Sequence, residues 1–89
     1  MIEETLVLKN RLGLHARAAA RLVHAAAGFT SRLTLTRDGD EVDAKSILGL
    51  LLLAASKGTS LVLRADGPDE AEAAAAVKAL VERRFDESE

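Results

Sequence analysis

Between two runs that read as strands stands the dipeptide Asp38-Gly39. Asp-Gly is among the strongest short hairpin signals, because the favoured two-residue turn needs positive φ at its central positions. With these two residues in the turn, Arg37 falls opposite Asp40 and Leu35 opposite Val42. Arg32 to Arg37 alternates, so Leu33 and Leu35 point the same way. The apolar pair Leu35 and Val42 then shares one face, as a half-buried sheet requires. An antiparallel hairpin with one wet face is the fixed point around which the rest of the chain has to fold.

The other segments supply partners for it. Thr5 to Lys9 reads as a strand with Leu6 and Leu8 on one face. From Ala16 the period changes, and Ala19, Leu22, Val23 and Ala26 follow the i, i+3, i+4, i+7 spacing of a helical face, with Gly28 as its stop. Ser46 caps a short helix through about Leu53, which Lys57-Gly58 ends. Ser60 to Ala65 gives another strand, with Leu61 and Leu63 together. Pro68 suits the first turn of a last helix. Asp69, Glu70 and Glu72 lie at its positive end, Arg83 and Arg84 at its negative end, and Ala73, Ala76, Val77 and Leu80 form its buried stripe. The tail from Asp86 to Glu89 is expected to fray. Strand-helix-strand-strand-helix-strand-helix, with one apolar face per strand, predicts a two-layer α+β sandwich whose antiparallel sheet is covered on one side.

Eighty-nine residues make a single domain over 1–89 with one modest core. Phe29 and Phe85 are the only aromatic residues, so Leu, Val, Ile and Ala must build that core. The lack of cysteine excludes a disulfide scaffold and thiol chemistry. Met1-Ile2-Glu3-Glu4 is not the basic start of a signal peptide. The longest apolar stretch, Ile47 to Ala55, falls well short of the roughly 20 residues that span a bilayer. A net charge of −2 argues against general nucleic-acid binding. The expectation is a soluble, cytoplasmic monomer with neither nucleic acid nor membrane insertion among its associations.

Chemistry concentrates at Gly13-Leu14-His15-Ala16-Arg17-Ala18-Ala19-Ala20. Helices normally begin behind Ser, Thr, Asp or Asn; here the capping position falls to His15. The N–H groups of Ala16, Arg17 and Ala18 therefore lack an obvious side-chain acceptor and carry the positive end of the helix dipole. Such a start can hold a phosphate, and the anion could be attached to the histidine itself. A neutral ring nitrogen is nucleophilic, with a reference pKa of about 6.5. Arg17 can add charge-assisted hydrogen bonds to the phosphate oxygens. The bland alternative is a surface histidine at a helix start.

This segment, together with Asp43-Ala44-Lys45-Ser46-Ile47-Leu48-Gly49-Leu50, resembles the HPr family, the histidine-containing phosphocarriers of the bacterial phosphoenolpyruvate-dependent sugar phosphotransferase system. The resemblance covers nearly the whole chain. It implies a four-stranded sheet in the order 1-4-2-3 with three helices on one face. It further implies phosphorylation of His15 on Nδ1 by enzyme I, and transfer to a histidine of an enzyme IIA domain. Ser46 matches the family's regulatory serine, modified in some bacteria by HPr kinase/phosphorylase, though as a cap it has a sufficient structural job. Two residues depart from the pattern: Ala18 stands where proline is usual, and Asp43 where asparagine is frequent.

Ile47 to Leu53 is apolar almost all round, so part of it should be exposed and meet partners. Ala16, Ala20, Ile47, Leu48 and Leu51 are the candidates, rimmed by Arg17 and Arg21. His24, on roughly the opposite side of the helix from His15, reads as a solvated surface residue. No cofactor is called for, and no His/Asp/Glu grouping has metal-ligand spacing. A free-standing hydrolase lacks a base–nucleophile constellation. Two alternatives stay open: a nitrogen-branch regulatory carrier, which Leu53-Ala54-Ala55-Ser56-Lys57-Gly58 resembles, and a docking module of the same fold that carries no phosphate.

Overall fold

The Asp38-Gly39 turn forms as its composition requires. In the computed structural model, which describes residues 1–87, the two residues take φ of +50° and +87°. Along the chain the elements are β1 (Ile2–Val7), α1 (Ala16–Ala27), β2 (Arg32–Arg37), β3 (Asp40–Asp43), α2 (Ile47–Leu52), β4 (Ser60–Asp66), α3 (Glu70–Glu82) and a 3-10 turn (Arg84–Asp86). Across β2 and β3, Leu35 faces Val42 and Arg37 faces Asp40. β4 enters between β1 and β2, antiparallel to both, which gives the order β1-β4-β2-β3.

Alternation then divides the sheet into a dry and a wet side. Leu6, Leu33, Leu35, Leu61, Leu63 and Ala65 are buried and meet Leu22 of α1 and Val77 and Val81 of α3 in one core. On the other side Arg64 bridges Glu3 at 3.1 Å and Glu41 at 3.5 Å. Exposed pairs of this kind are worth at most about 1 kcal/mol; the leucine layer, not the charge lattice, holds the sheet to its helices.

Three of the boundaries that differ from the periodicity do so for a visible reason. β1 begins at Ile2 rather than Thr5, because Ile2 already pairs with Ala65. It stops at Val7, yet Leu8 keeps its inward place: it donates to the Thr59 carbonyl at 3.1 Å and accepts from the Gly58 N–H at 2.8 Å. α3 starts at Glu70, after Pro68, because Asp69 is its N-cap: Asp69 has φ −112° and ψ 29° and its carbonyl accepts the Ala73 N–H at 2.9 Å, while its side chain makes no cap bond. Its carboxylate accepts the N–H and hydroxyl of both Thr30 and Ser31. The Ser31 hydroxyl and the Thr30 amide hold that carboxyl well below the usual range.

The largest correction concerns the tail. Asp86 and Glu87 are not frayed. Arg84, Phe85 and Asp86 take φ of +57°, +55° and +62°, a left-handed turn that costs L-residues roughly 1–2 kcal/mol each. The Phe85 side chain, 0 % exposed, anchors it in the core. Arg21 donates to the Phe85 carbonyl, and Arg83 pairs with Asp86 at 3.0 Å. Ser88 and Glu89, the rest of the tail, lie outside the described residues.

Candidate functional site

The loop that presents His15 is fixed on both sides. Gly13 has φ +65°, and a Cβ there would lie 2.5 Å from the Ala55 carbonyl oxygen and 2.8 Å from Ser56 Cα. The backbone passes so close that only glycine fits. The next residue, Leu14, is buried and donates its N–H to the Ala55 carbonyl at 2.9 Å. His15 follows in an extended conformation, φ −76° and ψ 177°, as the N-cap of α1. Its carbonyl accepts the Ala19 N–H at 2.8 Å, and its Nδ1 accepts the Arg17 N–H at 3.3 Å. That last contact is long for an N–H bond. The imidazole does act as a side-chain acceptor for Arg17, so one of the first-turn amides has the partner its composition did not advertise.

The far edge of the ring is held from a distance in sequence. His15 Nε2 lies 2.5 Å from Glu87 Oε2, and Glu87 Oε1 accepts a hydrogen bond from Asn10 Nδ2 at 2.8 Å. Asn10, fully buried, also donates to the Gly13 carbonyl at 2.6 Å. Burial works to raise the Glu87 carboxyl. The hydrogen bonds from Asn10 and His15, with the charges of His15 and Arg21, outweigh it and hold the carboxyl below its ordinary value. Glu87 is therefore an anion at neutral pH, and a carboxylate beside Nε2 selects the ring form that has its proton there. Nδ1 keeps its lone pair, at the mouth of a helix whose first turn contains no acid.

The remaining candidate residues surround this point unequally. Ala16, Arg17 and Ala20 are exposed, whereas Ala18 is buried among the core residues. Arg21 is half-buried, with one guanidinium nitrogen committed to Phe85. Across from α1, Ser46 caps α2 by accepting the Gly49 N–H at 3.0 Å. Ile47, Leu48 and Leu51 are exposed as expected, Leu48 at 69 %. Leu52, which was not among the candidates, is exposed to 73 %. His24 is exposed, away from the ion pair. No group of three or more metal-ligating side chains gathers among the described residues, and none of their helices is long and apolar enough to cross a membrane.

Asn10 and Glu87 are the residues that sequence reasoning missed. An asparagine three residues before a positive-φ glycine is a recognisable loop brace. Glu87 carries no local signal at all, since its partner is 72 positions away.

Residues 2–83 match the family model described as "PTS HPr component phosphorylation site". The chain is 52% identical over 87 residues to the phosphocarrier protein HPr of Xylella fastidiosa, covering 98% of each. It is 41% identical over 87 residues to the phosphocarrier protein NPr of Escherichia coli, covering 97% of each. Among solved structures, HPr from Thermoanaerobacter tengcongensis superimposes with a TM-score of 0.96 at 43% identity, over 100% of both chains.

Proposed function

Because the chain belongs to the HPr family, the phosphocarriers of the phosphotransferase system, we propose that His15 is its phosphoryl acceptor, through Nδ1. The observation that supports this is the weak cap. Among the described residues the Nδ1 lone pair meets only the Arg17 N–H, at 3.3 Å, and can instead form a bond to phosphorus. The Arg17 amide would then face a phosphoryl oxygen rather than the ring, joined by the amides of Ala16 and Ala18. The exposed Arg17 guanidinium adds charge-assisted bonds to the oxygens. A helix start of this kind stabilises an anion by about 0.3–1 kcal/mol where exposed. So shallow a well suits a carrier that must release what it takes.

In this reading enzyme I donates the phosphoryl group and a histidine of an enzyme IIA domain receives it. Both dock on the exposed apolar residues Ile47, Leu48 and Leu51 with Ala16 and Ala20, beside Arg17 and Arg21. Residues 1–89 act as one cytoplasmic, monomeric domain. Ser46 is a regulatory site for HPr kinase/phosphorylase: a phosphate there would add charge to the docking face that partners must approach. The 41% identity to NPr supports a second reading, in which the same transfer serves the nitrogen-related branch and only the acceptor protein differs.

Incubation with phosphoenolpyruvate and enzyme I, followed by mass spectrometry under alkaline conditions, tests the assignment. One acid-labile phosphoryl group is expected, absent from His15→Ala. An unphosphorylated wild-type chain, with its native enzyme I supplied, would overturn it.

A further inference from the structure

We propose that Glu87 is a positioning residue for phosphoryl transfer: through its carboxylate it holds the proton of His15 on Nε2 and balances the charge the ring acquires when Nδ1 binds phosphorus. The inference rests on the assignment of His15 as acceptor and extends the site to the segment after α3.

Three observations converge on it. The carboxylate is 2.5 Å from Nε2, on the opposite edge of the ring from the Arg17 amide that meets Nδ1. It is aimed there by a second contact, since Asn10 Nδ2 holds the other carboxylate oxygen at 2.8 Å while bracing the Gly13 carbonyl at 2.6 Å. One amide group thus fixes the carboxylate and the loop that presents the histidine. Finally, the chain reaches this place through a strained turn. Three consecutive non-glycine residues lie at positive φ, secured by the buried Phe85 ring and the Arg21 bond to its carbonyl. Strain maintained by its surroundings next to a reactive group is how proteins hold a functional geometry.

The step balances without an added reagent. The Nδ1 lone pair forms the new N–P bond as the bond between phosphorus and the donor breaks, and that electron pair leaves with the donor. The ring keeps its proton on Nε2 and becomes an imidazolium, whose positive charge faces Glu87. Onward transfer reverses each element. The arrangement has the logic of a base oriented by a third group, in which the carboxylate fixes tautomer and orientation and does not itself take the proton.

Long-range proton–nitrogen spectra of the whole 15N-labelled chain at about pH 8, where a reference imidazole is neutral, read the tautomer directly. In the wild type the Nδ1 signal is expected at the unprotonated position and Nε2 at the protonated one. Glu87→Ala should move both signals toward the averaged values of a free histidine. It should also slow phosphoryl acceptance from enzyme I by roughly threefold to tenfold, the scale of one partly exposed ion pair. Glu87→Gln, whose amide oxygen still accepts from Nε2–H, should keep the wild-type nitrogen pattern and fall between the two in rate. Wild-type nitrogen signals in Glu87→Ala overturn the inference, whatever the rate. So does an unchanged rate. A wild-type chain that accepts no phosphate would instead overturn the assignment of His15, a failure the spectra of the unphosphorylated protein keep separate.

Discussion

α1 and α2 both begin behind a capping side chain and neither has an acid in its first turn, yet the two starts are built in opposite ways. At α2 the bracing is local and short. Ser46 Oγ accepts the Gly49 N–H at 3.0 Å, and Asp43 Oδ1 accepts the Lys45 N–H at 2.8 Å. At α1 the cap bond stretches to 3.3 Å, and what holds the histidine comes from Asn10 in its own loop and from Ala55 and Glu87, far along the chain. The serine commits its lone pair to the helix, while the histidine barely does. A cap that completes a helix can be replaced by another cap; one that leaves its lone pair available cannot.

The sharpest way to break that comparison is to give α1 an ordinary cap. Serine is a preferred N-cap, so His15→Ser should preserve helix content by circular dichroism and abolish phosphorylation by enzyme I completely. Retained transfer would mean that the lone pair at this position is not what the two starts differ by. Gly13→Ala is expected to produce the next largest effect. The new Cβ meets backbone at 2.5 Å and 2.8 Å, and the residue sits at φ +65°. Destabilisation of about 2–4 kcal/mol should appear in denaturant unfolding, with phosphorylation lowered as well, because the loop that must move is the one that presents His15. Ser46→Ala sharpens the contrast from the other side. Losing one good cap costs about 1 kcal/mol, and His15 should still be phosphorylated by enzyme I. Equal losses of stability and transfer in this variant would show that the two helix starts are coupled.

The same contrast explains what could be seen in advance. The hairpin register followed from two residues of turn chemistry, since Leu35 opposite Val42 depends only on counting from Asp38-Gly39. The buried face of α1 followed from periodicity: Ala19, Leu22 and Ala26 are fully enclosed. The local cap at Ser46 was equally plain. Glu87 was not, because a carboxylate beside His15 requires the chain to turn left-handed through Arg84, Phe85 and Asp86 without a glycine or asparagine to announce it. Burial of Phe85 overrides the local preference there. Asp69 was half legible for a related reason. It does stand at the start of α3, as its N-cap, but its side-chain oxygens are taken by Thr30 and Ser31, which tie the segment after α1 to the α3 start. Patterns of spacing reveal which face an element buries; they do not reveal which distant polar group will meet a loop.

The smallest expected effect tests whether the weak cap alone defines the site. Ala18 is the third residue of α1 and 0 % exposed. Its neighbours carry the two bonds that end on His15, the Arg17 N–H to Nδ1 and the Ala19 N–H to the carbonyl. Proline at position 18 would remove the amide between them and leave both intact. Helix first turns tolerate the missing donor, and restricting φ in the unfolded chain is worth about 0.4–1 kcal/mol where the native backbone is compatible. Against this, the residue before a proline is pushed away from the helical region, here Arg17, and the added ring carbons must enter a filled space. The opposing terms are of similar size, so Ala18→Pro should shift unfolding by no more than about 1 kcal/mol in either direction. Phosphorylation should persist with a rate within a few-fold of wild type, because the amide that meets Nδ1 belongs to Arg17. If transfer disappears while the fold remains, the Ala18 amide is the donor that the phosphoryl group depends on, and the length of the Arg17 contact is incidental.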